Sequence, residues 1–512
     1  MNTSTLLATG VAVALSIGTA GPVSALPPST SRTAHVSSRA TAHVLTSHYD
    51  GVLGTSIDLK FVAVSPRAAE QAERVALAEI ERLRRVLSSW DNQSELAQLF
   101  SRGTIAHPSA ELVDVLNQYT AWSDRSQHAY SARVGELSAL WKAAEARGAL
   151  PDSQVLAQAV RDIAAPAWRV DSRTGSVTAL TSRRADLNSL GKGYIIDKAL
   201  RAVRDRVTGV SGAMINVGGD IHVWGTPPRD GGWRIAVANP ASHADNAAPL
   251  TQLVLRQGAV SSSGDYERGY RIGAQHFSHI LDPRTGRPAQ QIAGVTVIAP
   301  DNATANALAT TLSVLPADSG MALLRTVHGA DAMIITTDGQ QLRSAGFSAY
   351  ETTDRIGARA HDATTAPAFT AKLNIDVTPT VANRHQPYVA VWITDTTGKH
   401  VRTLAFWGDK PKYLHEMSKW WALNHADTQL IDAVTRATRA VGKYTLDWDG
   451  TDQSGAAVTA GAYVFWLEVG FEDGAHSAKS VQLSCGTADA TGTIPQAAAF
   501  AGASVSCERA KR

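Results

Sequence analysis

The sequence predicts an α+β domain of mixed sheets and helices followed by an all-β, immunoglobulin-like sandwich. Three observations carry this. Apolar residues at helical spacing alternate with strand-like runs as far as about Ser348. A polar stretch rich in Ala and Thr then runs from Ala358 to Ala368. Beyond it, short strand-like runs are separated by turn residues.

The elements are read in chain order. Residues 1–25 read as a signal peptide. Leu6 to Ala20 is apolar and small, and Val23-Ser24-Ala25 resembles a small-x-small cleavage site. The expected location is therefore periplasmic or secreted. The alternative is an uncleaved signal acting as a membrane anchor. Residues 26–45, rich in Ser, Thr, Ala and Pro, read as a loose leader. His48 to Val64 suggests a strand or hairpin. Val75, Leu77, Ile80, Leu83, Val86 and Leu87 give a helix over Ala68 to Leu87. Leu112 to Ser123 and Val155 to Ile163 are further helical segments. Strands are expected at Ala213–Val217, Trp233–Ala238, Val295–Ile298 and Ala332–Thr336. After a linker at 351–370, the sandwich is placed at 371–485. Its strands are expected at Val389–Thr394, Val401–Phe406, Tyr444–Trp448 and Tyr463–Val469. A loose tail is expected over 486–512.

Composition excludes several classes. The chain has 512 residues, 48 Lys and Arg against 46 Asp and Glu, and a net charge of +2. There is no basic block, hence no electrostatic case for nucleic acid. Cys485 and Cys507 are too few for a zinc cluster or a disulfide scaffold. An oxidising compartment permits a bridge between them; two unpaired thiols in a loose tail is the alternative.

Four blocks could carry chemistry. In Asp186-Leu-Asn-Ser189-Leu-Gly191-Lys192-Gly193-Tyr194-Ile-Ile-Asp197, glycines flank a lysine ahead of an amphipathic segment expected to start at Tyr194. Such a segment either offers free N–H groups and a positive charge to phosphate or is a glycine-rich helix cap. Asn216-Val-Gly218-Gly219-Asp220 reads as a tight turn, either plain or with Asp220 capping or binding. Ser261-Ser-Ser-Gly264-Asp265-Tyr266-Glu267-Arg268 leads to His279-Ile280-Leu-Asp282-Pro-Arg284-Thr-Gly286. The last part is a strong turn sequence that groups polar residues as site loops do. Asp301 then opens a helix on which Asn306 and Thr310, four apart, share a face. Paired oxygens at that spacing suit a hard cation such as Mg2+, or simple helix packing.

In this order the blocks resemble the ApbE family of FAD:protein FMN transferases over roughly residues 45–350. Leu53-Gly54-Thr55, Ser88-Ser89-Trp90…Ser94-Glu95-Leu96 and Tyr130-Ser131-Ala132-Arg133-Val134-Gly135-Glu136-Leu137 are its weaker matches. The resemblance implies an enzyme that splits FAD at the pyrophosphate, attaches FMN to a Thr or Ser of an exported acceptor protein, and releases AMP. It implies metal ligands at Ser189, Asn306 and Thr310, with Mg2+ as cofactor. It places flavin contacts at Trp90, Ala129, Tyr130, Ser131, Asp186, Lys192 and Ile280. His279 or Asp282 would accept the hydroxyl proton, unless both only shape the turn. Asn306 stands where the family usually has Asp, and Asp301 is a candidate substitute carboxylate. The alternative function is a flavin-binding or carrier protein without transfer activity. The acceptor would carry an Asp-x-x-Thr-Ser/Ala-like motif, which Asp362 to Ala366 in the linker also resembles.

The C-terminal part, with Trp448-Asp449-Gly450 and Ala460-Gly461-Ala462-Tyr463, resembles FlgD-type immunoglobulin-like modules and an uncharacterised periplasmic domain. Trp448 and Trp466 are expected in its core. Trp407, Trp420 and Trp421 with Lys410, Lys412 and Lys419 form either packing or a partner-binding patch.

Overall fold

A computed structural model describes residues 31–35, 42–227, 231–242, 244, 246–247, 249–264, 269–352, 367–381, 387–408, 417–425, 435–436, 441–471 and 474–510. The signal peptide, residues 265–268, the acceptor-like motif around Thr365, and Lys410 and Lys412 lie outside these.

A nine-stranded sheet organises the first domain. Its strands are Ser31–His35, His43–Val52, Thr55–Ala63, Val210–Val217, Asp220–Gly225, Gly258–Gly264, Ile292–Ala299, Asp331–Thr336 and Gln341–Arg343. Spatial order equals chain order, and every neighbouring pair is antiparallel. The domain is therefore α+β, with helices inserted into an antiparallel meander rather than joining parallel strands. Part of the expected loose leader is the edge strand Ser31–His35 and the start of His43–Val52.

Strand alternation gives the sheet two apolar faces. Leu59, Phe61, Ile215, Val297 and Ile334 pack against the helices. Val62, Val223, Val260, Ile298 and Met333 face a small sheet formed by Trp233–Val237, Thr251–Leu255 and Glu351–Thr352. Helix α1 (Pro66–Leu87) starts at the N-cap Ser65 with a proline in its first turn. Helices α2 (Glu95–Arg102) and α3 (Ala110–Arg125) follow, with Ser94 and Ser109 as N-caps.

Helices α4 (Val134–Arg147) and α5 (Ser153–Ala164) form a separate cap. Its own core joins Leu137, Trp141 and Leu156 to Tyr270, Ile272 and Leu281 of the hairpin Gly269–Ile272/Gln275–Ser278 and the turn after it. Helix α6 runs Asn188–Arg206, so it begins six residues before the Tyr194 start expected from periodicity. Lys192 and Gly193 thus lie within the helix. Helices α7 (Asn302–Val314) and α8 (Ala317–Leu324) complete the domain.

The C-terminal sandwich packs a four-stranded sheet on a five-stranded one. Trp407 and Trp448 fill its core, whereas Trp466 stacks on Trp392 on the outer face at 5.5 Å. Trp420, on the short helix α9 (Ser418–Asn424), is also buried. Burial of Trp407 and Trp420 removes both from any exposed binding patch.

The tail expected to be loose is a structural part of the sandwich. Gly502–Arg509 lies between Phe369–Asp376 and Ala490–Ile494, with Ala503, Val505 and Cys507 turned inward. Its small residues masked a period-two pattern. Cys485 and Cys507 are disulfide-bonded across 22 residues. Between the two domains, Asn246 pairs both amide groups with the main chain of Asp447, at 2.8 Å each.

Replacing both cysteines with serine should cost the sandwich about 3 kcal/mol by the loop-entropy relation. Tryptophan fluorescence during denaturant unfolding would measure this, and an unchanged midpoint would contradict it.

Candidate functional site

The site grows from a close crossing of α6 and α7. A Cβ on Gly193 would lie 2.5 Å from the carbonyl oxygen of Asn302, so only glycine permits this approach. One turn further along α6, the Asp197 carboxylate accepts the N–H groups of Asn302 and Ala303 at 2.8 and 2.9 Å. Nδ1 of His222 lies 2.6 Å from the same carboxylate. Asn302 Nδ2 donates to the carbonyl of Ile221, tying α7 to the strand that begins at Asp220.

Asp220 sits beside Asn306. Its Oδ2 accepts Nδ2 of Asn306 at 2.8 Å, and its Oδ1 accepts the Ser261 hydroxyl. Burial raises the Asp220 pKa to about 6, opposed by the Ser261 hydrogen bond, the Lys192 charge and the Asn306 hydrogen bond. An ionised carboxylate only accepts, so the amide must present its nitrogen to Asp220 and turn its oxygen away. Asn306 Oδ1 and Thr310 Oγ1 have no hydrogen-bond partner among the described residues. Two neutral oxygens one helical turn apart could enter the shell of a hard cation, whereas the Lys192 charge beside Asp220 opposes a cation and attracts an anion. Asp301 is not that carboxylate: it caps α7, accepting Thr304 N–H at 2.8 Å.

A second group of predicted residues meets at the start of α6. The Ser189 hydroxyl is 2.9 Å from both the Tyr130 and the Tyr119 hydroxyls, and the two rings stack at 5.0 Å. Burial pushes both tyrosine pKa values up, so the hydroxyls stay protonated. Asp186 accepts Asn188 N–H at 2.9 Å, and its own N–H donates to Ala132. The buried Ala129 precedes Tyr130, and the Ser131 hydroxyl accepts Arg133 N–H.

Trp90, which is 76% exposed, and Asp186 line a cleft of about 880 Å³. Arg183, Arg184 and Ser89 share its main-body wall; Glu136, Leu140, Gln154 and Gln158 line the opposite wall on α4 and α5. The Ser89 hydroxyl is buried without a hydrogen-bond partner among the described residues. The cleft thus lies between the main body and the cap.

His279, Ile280 and Asp282 are absent from the cleft lining. They sit on the turn that Trp141 braces by donating to Gly286 O at 2.8 Å. His279 and Ile280 are half-buried. Asp282 is held by Arg284 through two bonds of 2.8 and 2.9 Å, and it also accepts Arg284 N–H. Asp282 therefore braces the turn through Arg284, in line with the second of the two roles the motif offered it. Sequence reasoning included Asp197 in its densest block without giving it a role, and it missed His222 and Tyr119. Only the spacing of Asp197, four residues after Gly193 on one helical face, was a usable signal.

Fold and site together define a two-part chain, an antiparallel α+β domain bearing this polar cluster and a C-terminal sandwich. Residues 53–334 match the ApbE family, and the chain belongs to that family. Residues 370–500 match a family described as a predicted periplasmic protein of unknown function. The chain is 28% identical over 317 residues to a FAD:protein FMN transferase of Treponema pallidum, covering 58% of this chain and 86% of that protein. It is 27% identical over 324 residues to one of Klebsiella pneumoniae, covering 61% and 90%. The crystal structure of the ApbE protein of Thermotoga maritima superposes with a TM-score of 0.51 at 25% identity, covering 60% of this chain and 99% of that one. Among the described residues no helix is long and apolar enough to cross a membrane.

The raised Asp220 pKa has a stability consequence. The contribution of Asp220 is complete below its ordinary value of 3.8 and lost as pH rises through about 6. Asp220→Asn should therefore gain stability relative to the parent as pH rises between those values, reaching on the order of 3 kcal/mol, and hold it above them. Thermal melts from pH 4 to 8 would show it; a constant difference would exclude buried ionisation as the cause.

Proposed function

We propose that the chain is an exported, Mg2+-dependent FAD:protein FMN transferase. The observation that carries this reading is the unpartnered oxygen pair of Asn306 and Thr310, next to Asp220 and Lys192 in a chain of the ApbE family. In the reaction, a Thr or Ser hydroxyl of the acceptor attacks the FMN phosphorus of FAD. The bond from that phosphorus to the bridging oxygen breaks, AMP leaves, and the hydroxyl proton is lost.

The residues divide the work. Trp90 offers an exposed ring for stacking the flavin at the mouth of the cleft. Tyr130, held with Ser189 and Tyr119, and Ala129, Ser131, Asp186 and Ile280 are the further flavin contacts that the family resemblance implies; of these only Asp186 lines the cleft. Lys192 supplies a positive charge toward the pyrophosphate. Asn306, Thr310 and Ser189 would hold Mg2+, which neutralises charge on the pyrophosphate when bound. His279 or Asp282 would take the hydroxyl proton, as the family resemblance implies, with Asp282 already paired to Arg284. The acceptor is an exported protein with an Asp-x-x-Thr-Ser/Ala-like motif, and the C-terminal sandwich is the candidate surface for a partner protein.

The neutral Asn306 favours one second reading, a flavin carrier with a weakened metal site. The two part in one experiment: mature protein, FAD, Mg2+ and an acceptor bearing the motif, followed by denaturing electrophoresis. A metal-dependent fluorescent acceptor band is expected. No band despite measurable FAD binding would favour the carrier. Asn306→Asp should lower the Mg2+ concentration for half-maximal transfer, and Lys192→Met should reduce the rate at saturating metal.

A further inference from the structure

Every amide at the amino end of α7 is already taken. Asp197 accepts the N–H groups of Asn302 and Ala303. Asp301 accepts that of Thr304 through its side chain and that of Ala305 through its carbonyl. A helix start is ordinarily an anion site because these groups are free. Here carboxylates of the protein itself occupy it, so this helix end cannot receive the pyrophosphate. The charge of the substrate must be met elsewhere.

Asp197 also joins the two helices that carry the proposed charge-binding groups. It sits five residues beyond Lys192 on α6 and grips α7 one turn before Asn306. Gly193 lets the helices touch at this point. His222 holds the carboxylate from the strand that begins with Asp220, two residues earlier on the same face. One carboxylate thus ties together the elements bearing Lys192, Asp220, and the Asn306 and Thr310 pair.

We propose that Asp197 is a positioning residue that sets the α7 oxygens against Lys192 and Asp220 by clamping the first two amides of α7. It touches neither substrate nor metal. The inference rests on the metal reading above, and the test separates the two.

The experiment uses the full mature chain and two readouts. One is a calorimetric titration with Mg2+. The other is FAD binding without metal, followed by tryptophan fluorescence. Asp197→Asn retains size but loses the charge and one acceptor. It should weaken Mg2+ binding by about tenfold or more, the range seen when groups behind metal ligands are removed. FAD affinity without metal should stay near the parent value, because the clamp fixes the start of α7, whereas Trp90, Asp186 and Lys192 lie outside that helix. A merely structural role would lower both affinities together and would overturn the proposal. Mg2+ affinity equal to the parent would overturn it as well.

His222→Gln provides the second variant should Asp197→Asn fail to fold. It keeps both amide bonds and removes the ring that steadies the carboxylate, so a smaller loss of Mg2+ affinity is expected with FAD binding intact. Parent-like Mg2+ affinity in that variant would count against the clamp. If the parent protein itself takes up no Mg2+, the metal reading falls, and this inference falls with it.

Discussion

The crossing of α6 over the start of α7 is the constraint on which the site depends. Gly193 lets the two backbones approach, and Asp197 converts that approach into a two-point grip on the helix start. The cost of burying a carboxylate there is offset by two amide donors, the imidazole of His222 and the favourable end of the helix dipole. Once α7 is held, Asn306 falls beside Asp220. The acceptor-only carboxylate then decides which way the amide faces, leaving its oxygen free. A single glycine and a single aspartate thus determine the placement of groups far apart in the chain.

The sheet supplies the rigid base. Because the strands follow one another in space as in sequence, Asp220, Ser261 and the segment before α7 come from neighbouring strands of one meander. The cleft has a different origin. One wall belongs to the main core and the other to the small core of α4, α5 and the Gly269–Ser278 hairpin. Trp141 links that second core to the turn of His279 through Gly286, and a Cβ on Gly286 would strike Leu156 of α5. The wall of the cleft and the His279 turn are therefore parts of one packed unit.

The sandwich is built on its own core and closed by its last strand. Asp447 lies on an edge strand, and Asn246 pairs with its main chain as a neighbouring strand would. That contact covers one exposed peptide of the edge and joins the two domains.

The sequence by itself determined the two-domain division, the α+β and sandwich classes, most strand and helix positions, and the family. These are local or ordered signals: period, caps, turn residues and motif order. Its errors were also local. Small residues hid the strand Gly502–Arg509, and glycines placed the start of α6 too late. Only the tertiary structure decided which polar groups meet. That Asp220 rather than Asp301 faces Asn306, that Asp282 is spent on Arg284, and that Tyr119 joins Ser189 depend on how separate elements pack. Side-chain pairing across a fold is set by distance and burial in three dimensions, and no spacing along the chain records it.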